Sequence, residues 1–178
     1  MTAREIPTLE TKRLRLRPHR LGEFEAYAAM WTEPAVFRYI GGAAFTREQS
    51  WTRFLRHIGL WHHLGFGYWA IEDKATGKLG GECGFHDLHR NIEPSIEGTM
   101  EAGWGLVPRL QGQGLAEEAM RAALDWAAAH GTGDRITAII DPGNGASRRI
   151  AEKLGFREMG EAMYGGKPLI LHERPRRP

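Results

Sequence analysis

Cysteine occurs once in the 178 residues, at Cys83, so neither an internal disulfide nor a zinc site of several thiolates can form; this fits a reducing compartment. Cys83 itself reads as a small buried residue. Long apolar runs are missing: no stretch of about 18 residues, the length that a membrane span needs, is free of charge. The segment Met1 to Arg17 is too charged for the apolar centre of a secretory signal. There is no excess of one charge either. The 24 basic and 22 acidic side chains leave a net charge of +2, too weak a field to draw in nucleic acid. Histidine occurs 8 times but not in a metal-binding pattern. His62 and His63 are adjacent and point apart on a helix, and His86 with His89 make only a pair, so no metal is expected. With 42% hydrophobic and 26% charged residues, the chain is expected to fold, outside the membrane and in the cytoplasm.

At about one domain per 100 to 200 residues the chain makes a single domain over 1–178. Its core spans about Leu9 to Leu171, and the basic Pro/Arg tail 172–178 reads as loose. Arg13, Leu14, Arg15, Leu16 and Arg17 alternate with period two, predicting a half-buried strand with a solvated basic face. Two stripes at helical spacing follow, Leu21 to Trp31 and Trp51 to Trp61, with the aromatic connector Phe37, Tyr39 and Phe45 between them. Phe66 to Glu72 and Leu79 to His86 read as antiparallel strands about a turn at Gly77. Met100 to Val107 reads as a strand in which Gly103 and Gly105 mark a bulge or a close backbone approach. Leu115 to His130 is a helix with a Glu117–Arg121 pair. Arg135 to Ile140 is a strand, Asn144 starts a helix that Gly155 closes, and Phe156 to Gly160 and Leu169 to His172 are strands around Gly165-Gly166. The order is that of an α+β layer: a mixed, mainly antiparallel sheet flanked by helices, with one βαβ unit in the second half.

Glycine is plentiful, 23 residues, and its placement carries the chemistry. Arg109-Leu110-Gln111-Gly112-Gln113-Gly114-Leu115-Ala116 lies between a strand end and a long helix. There the unpaired helical N–H groups and the positive end of the helix dipole favour an anion such as a pyrophosphate, and the glycines let it approach the backbone. A dinucleotide fingerprint does not fit, because Glu117 takes the third small position, and no Gly-Lys-Ser/Thr follows to make a Walker loop. A tight structural turn remains open.

Arg109-x-x-Gly112-x-Gly114 resembles the acetyl-CoA signature of the GNAT superfamily of N-acetyltransferases. Asn144-x-x-Ser147 followed by Glu152-Lys153-Leu154-Gly155-Phe156 is similar to that superfamily's next helix. The opening Leu9 to Arg17 and the connector Pro34 to Gly42 are similar to the RimJ/RimL-type branch, which acetylates protein amino termini and small amines. The resemblance runs from about Leu9 to Leu171. It implies acetyl-CoA as co-substrate, held by Trp104, Leu106 and Val107 on the strand, by Arg109, Gln111, Gly112, Gln113, Gly114, Leu115 and Ala116 at the turn, and by Asn144 and Ser147 beyond it. It implies transfer to a primary amine, a protein N-terminal α-amine or a small amine, in a ternary complex, and leaves room for a homodimer. Glu101 is the implied general base, with Glu97 as the alternative. The position where the superfamily often keeps a tyrosine acid is Ala151, which leaves Ser147 as the hydrogen-bond donor to sulfur, ahead of Tyr164. Two other readings compete: a CoA-binding module without catalysis, and a nucleic-acid binder using Lys12 to Arg20 and the Arg tail.

Overall fold

The computed structural model describes residues 5–177; the ends of the 1–178 span, and with them the start of the charged segment from Met1, lie outside these. Eight strands form one sheet in the order β1-β2-β3-β4-β5-β6-β8-β7. They are β1 (Leu9–Glu10), β2 (Leu14–Arg17), β3 (Tyr68–Asp73), β4 (Lys78–His86), β5 (Met100–Leu106), β6 (Arg135–Ile140), β7 (Arg157–Tyr164) and β8 (Lys167–Pro175). All neighbours pair antiparallel except β5 and β6. Those two are joined by helix α4 (Leu115–His130), as a parallel pair requires a crossover. The mainly antiparallel α+β architecture with one βαβ unit is therefore present. The remaining helices are α1 (Phe24–Met30), α2 (Pro34–Phe37), α3 (Arg47–Leu64) and α5 (Gly145–Lys153).

Side chains alternate across a strand, so each strand feeds two layers. Leu14, Leu16, Trp69, Ile71, Cys83 and Phe85 pack under α4 with Ala119, Met120 and Ala123. Ala70 and Leu79 join Phe24, Tyr27, Met30, Trp31 and Phe54 from α1, α3 and the segment after α1. Cys83 is fully buried, and burial pushes its thiol pKa up, as a structural cysteine behaves.

The structure differs from the local reading or adds to it at three places. Leu9–Glu10 pairs with β2 as an extra edge strand, so β2 is not the sheet edge; Arg13 and Arg15 do present the solvated basic face, with side chains 47% and 42% exposed, and Arg17 does not. Arg17 is buried, with its Nε 2.6 Å from Glu72 and a second ion pair to Glu23. The connector contains the short helix α2, begun by Pro34 at its first turn, where proline's missing N–H costs nothing. The C-terminal tail is not loose. β8 runs to Pro175, and Arg176 is buried with hydrogen bonds to the carbonyls of Ala127, Ala128 and Gly133. The Ala127 carbonyl also accepts from the Gly131 N–H at 2.8 Å, whereas that of Ala128, in the last turn of α4, lies beyond the reach of a helical donor, so a guanidinium placed there caps the helix and complements the dipole. Arg176→Ala should lower stability by about 1 to 3 kcal/mol, a fall of a few degrees in Tm measurable by circular dichroism; an unchanged Tm would mean that water caps the helix as well.

Candidate active site

The strand pair β5 and β6 touches only at Met100↔Ile136 and Glu101↔Thr137. Beyond Glu101 the strands diverge, and the β6-facing edge of β5 has no strand partner, which leaves backbone donors and acceptors pointing into a cleft. The bulge expected at Gly103 and Gly105 is absent: β5 pairs with β4 in unbroken register from Gly81↔Leu106 to His86↔Glu101. Separation of the strands frees these groups. Gly103 has a different function, since a Cβ there would lie 2.0 Å from the Tyr68 hydroxyl, while the space beside Gly105 is open. Gly103→Ala should therefore displace the Tyr68 ring and cost about 1 to 3 kcal/mol by overpacking; equal denaturation midpoints for both proteins would refute that contact.

The turn into α4 has the geometry of an anion cradle. Gly112 and Gly114 have φ of 72° and 74°, a left-handed backbone that glycine adopts without steric cost. No atom lies within 4 Å of the position of a Cβ on Gly112, and only the Arg13 guanidinium, at 3.8 Å, approaches that on Gly114. Gly114 caps α4 with no side chain of its own. The first intrahelical bond is from Glu118 N–H to Gly114 O, 3.1 Å, so the N–H groups of Leu115, Ala116 and Glu117 have no helical acceptor. Open space, free donors and the dipole fit the pyrophosphate of acetyl-CoA.

The surrounding side chains mostly buttress this turn. Arg109 binds Asp73 at 2.9 Å and the Leu79 carbonyl at 3.2 Å. Gln111 donates to the carbonyls of Leu106 and Ala35, and Gln113 to that of Arg109. Leu106 is buried in the core. Val107 uses both backbone groups internally, its N–H on Gly80 and its carbonyl for Leu110. Arg13 reaches the cradle, held by Glu118 at 2.7 Å and the Gln113 carbonyl at 3.0 Å; sequence alternation placed it on a strand face and could not show that it lies beside the turn.

A cavity of about 460 Å³ opens next to the β5/β6 cleft, lined by α3, the α2–α3 connector, β3 to β6, the start of α5 and the β7–β8 hairpin. Glu101, Trp104, Asn144, Ser147 and Tyr164 line it, whereas Glu97 is exposed and paired with His89 at 2.7 Å. The Asn144 side chain accepts from the Ser147 N–H at 3.1 Å, which starts α5 and puts Ser147 in its first turn.

Glu101 is buried. Its Oε1 accepts from His86 Nε2 at 2.9 Å and from Arg90 at 3.0 Å, and its Oε2 accepts from Arg90 Nε at 2.7 Å. Burial alone would raise its pKa, but the hydrogen bonds and charges of His86 and Arg90 prevail and lower it to about 2. Because an ionised carboxylate only accepts, His86 carries its proton on Nε2, leaving Nδ1 as a lone pair; that atom is buried without a partner.

A second buried carboxylate, Glu82, accepts from Arg53 at 2.6 Å and from His57 at 2.9 Å. The rings of His19, His57, Tyr68 and His86 stack in one column, with successive centroids 5.0, 5.0 and 5.2 Å apart. His19, His57 and Glu82 bring their ligating atoms within 4.8 Å of one another. The two imidazoles are nearly parallel, at 12°, so their in-plane lone pairs do not converge on one ion, and Arg53 already neutralises Glu82. Arg53, Arg56, His57 and Glu82 were not singled out from the sequence; a glutamate inside the Gly-rich, otherwise apolar strand Leu79 to Phe85 was the one available signal.

Residues 13–157 match the model of the acetyltransferase (GNAT) domain. The chain is a GNAT acetyltransferase. It is 32% identical over 170 residues to the uncharacterized protein YkkB of Bacillus subtilis, covering 93% of this chain and 94% of that one. It is 27% identical over 158 residues to the uncharacterized N-acetyltransferase p20 of Bacillus licheniformis, covering 87% and 85%. Among solved structures, the acetyltransferase from Agrobacterium tumefaciens superposes with a TM-score of 0.82 at 28% identity, covering 98% and 97%. The RimL ribosomal L7/L12 α-N-protein acetyltransferase, solved with coenzyme A, shares the fold with a TM-score of 0.75 at 17% identity, covering 95% and 98%. Membership makes the GNAT protein an acetyl-CoA-dependent acyltransferase. Among the described residues, no helix is long and apolar enough to cross a membrane.

Proposed function

We propose that the protein transfers the acetyl group of acetyl-CoA directly to a primary amine in a ternary complex, with a RimJ/RimL-like preference for an α-amine of a peptide or small molecule over a lysine side chain. The observation that supports this most is the meeting of the unpaired edge of β5, the buried Glu101–His86 pair and the first turn of α5 around one cavity, with the cradle following at the far end of the same strand. Acetyl-CoA supplies an activated acyl group: the C–N bond forms, the C–S bond breaks, and the proton lost by the amine is balanced by one gained by the thiolate. The turn from Arg109 to Ala116 holds the pyrophosphate, with Trp104 on β5 beside the pantetheine arm and Asn144 and Ser147 at its reactive end; Leu106, packed in the core, and Val107, just past β5 with both backbone groups already bonded, support the strand end and do not hold the arm.

Glu101 uses three acceptor sites on His86 and Arg90, and a carboxylate offers about four. The fourth is left for the amine or a water that bridges to it, so the Glu101–His86 pair is the proton acceptor. Ser147 faces the cavity with its hydroxyl unbound among the described residues, and donates to the leaving sulfur; Tyr164, on the same wall, is the alternative donor. An α-amine near pKa 8 is partly neutral at pH 7, whereas lysine near 10.4 is almost wholly charged, so a weak base suits the former. The setting that fits is cytoplasmic, with a homodimer as an option that the fold leaves open and no nucleic acid as partner. The test is competition for acetyl transfer between a peptide with a free amino terminus and an amino-blocked, lysine-containing counterpart. Transfer mainly to the free terminus supports the reading, and transfer confined to the blocked peptide overturns it.

A further inference from the structure

The cavity wall carries five guanidinium or ammonium groups against three carboxylates. Both buried carboxylates are already neutralised, Glu82 by Arg53 and Glu101 by Arg90. Arg56, on α3, is half-buried in the same wall and makes no ion pair among the described residues, and its Nε is buried without a hydrogen-bond partner. Two more buried donors in this wall, the indole N–H groups of Trp31 and Trp104, also lack partners. Leaving a guanidinium partly desolvated and unpaired is unfavourable unless a ligand completes it. What would complete this wall is an anion rich in acceptor oxygens, and what it would repel is a second ammonium.

We infer that the amine acceptor carries a carboxylate within the cavity, held by Arg56, so that the substrate is an amino carboxylate and not a polyamine or an aminoglycoside. Arg56 binds that carboxylate at one part of the cavity while the Glu101–His86 pair receives the amine at another. This rests on the acceptor reading above. A planar guanidinium pairs with a carboxylate through two parallel N–H donors, so lysine at this position is not equivalent. The carboxylate comes either from a free amino acid or from an acidic side chain near a peptide's amino terminus.

The experiment measures thiol release with four kinds of acceptor: free amino acids, the same amino acids as amides, dipeptide amides with Asp against Asn in second place, and spermidine. Rates are compared per neutral amine, to remove differences in amine pKa. The expected result is at least a tenfold higher kcat/KM for the anionic member of one of the two pairs; which pair responds identifies the source of the carboxylate. Arg56→Gln should abolish that preference through KM, with Arg56→Lys restoring part of it, while calorimetry gives the wild-type affinity for acetyl-CoA. Equal or better turnover of amides or spermidine by the wild type overturns the inference and leaves acetyl transfer to amines intact, as does a preference that survives Arg56→Gln. Binding of N-acetylglutamate in the presence of CoA, by calorimetry, reads the same site without turnover: loss in Arg56→Gln supports the inference, and no binding to the wild type overturns it. Absence of transfer to every amine tests the acceptor reading separately.

Discussion

Glu101→Gln is expected to lower turnover by roughly 10²-fold or more at pH 7, the scale of a lost general base, while acetyl-CoA affinity stays unchanged. The loss should shrink as pH rises and more of the amine arrives neutral. A carboxyl held to a pKa of about 2 by His86 and Arg90 is a weak base: against an ammonium near 8, the gap of about six pKa units is roughly 8 kcal/mol. The proton must therefore leave as the C–N bond forms or before the amine binds. The acid limb of the kcat/KM profile should follow the amine's pKa and move when the acceptor is changed; a limb that stays fixed across acceptors would assign it to an enzyme group. Stability has its own pH dependence. The native pKa lies below the ordinary 4.5, so the carboxylate's contribution is complete above about 4.5 and is lost as pH falls from there toward 2. Because the substitution also leaves Arg90 without its buried partner, it should destabilise the protein by about 3 to 5 kcal/mol. Kinetics belong at a temperature where circular dichroism shows the variant folded. Normal turnover there would assign the proton to another group.

The second large effect is expected at the cradle. Gly114→Val should weaken acetyl-CoA binding at least tenfold, about 1.4 kcal/mol, because it puts branched carbon where the pyrophosphate approaches the free N–H groups of α4. A β-branched residue at φ of 74° is also strained by about 1 to 3 kcal/mol, so a matched control is needed. Gly77→Val supplies it: Gly77 has φ of 68°, in open space at the β3–β4 turn away from the cradle. Both variants should lose stability, and only Gly114→Val should lose affinity in calorimetry. Equal affinities in the two folded variants would sink the assignment of the cradle.

Much of this protein follows from local pattern. The helix Leu115 to His130 and the strand Arg135 to Ile140 lie where periodicity, the Glu117–Arg121 pair and β-branching put them, because these are nearest-neighbour properties. The glycine turn before α4 was legible for the same reason: it joins a strand to a helix within a few residues, and its anion chemistry is that of a backbone. Asn144 and Gly155 likewise signal the two ends of α5. What local pattern could not supply is partnership between segments far apart in the chain. The register of β4 against β5 gave Gly103 to the Tyr68 ring instead of to a bulge. The course of β8 carried Arg176 onto the carbonyls of α4, although a Pro/Arg tail by itself reads as loose. A glutamate in a strand looks like solvated charge until α3 covers it, and then Arg53 and His57 must answer Glu82 as Arg90 and His86 answer Glu101. The chemical class of the cleft was thus set by the sequence, through backbone features written in a few adjacent residues. The charge balance of the acceptor cavity was decided only by the tertiary structure, since desolvation and pairing depend on which side chains from distant elements meet.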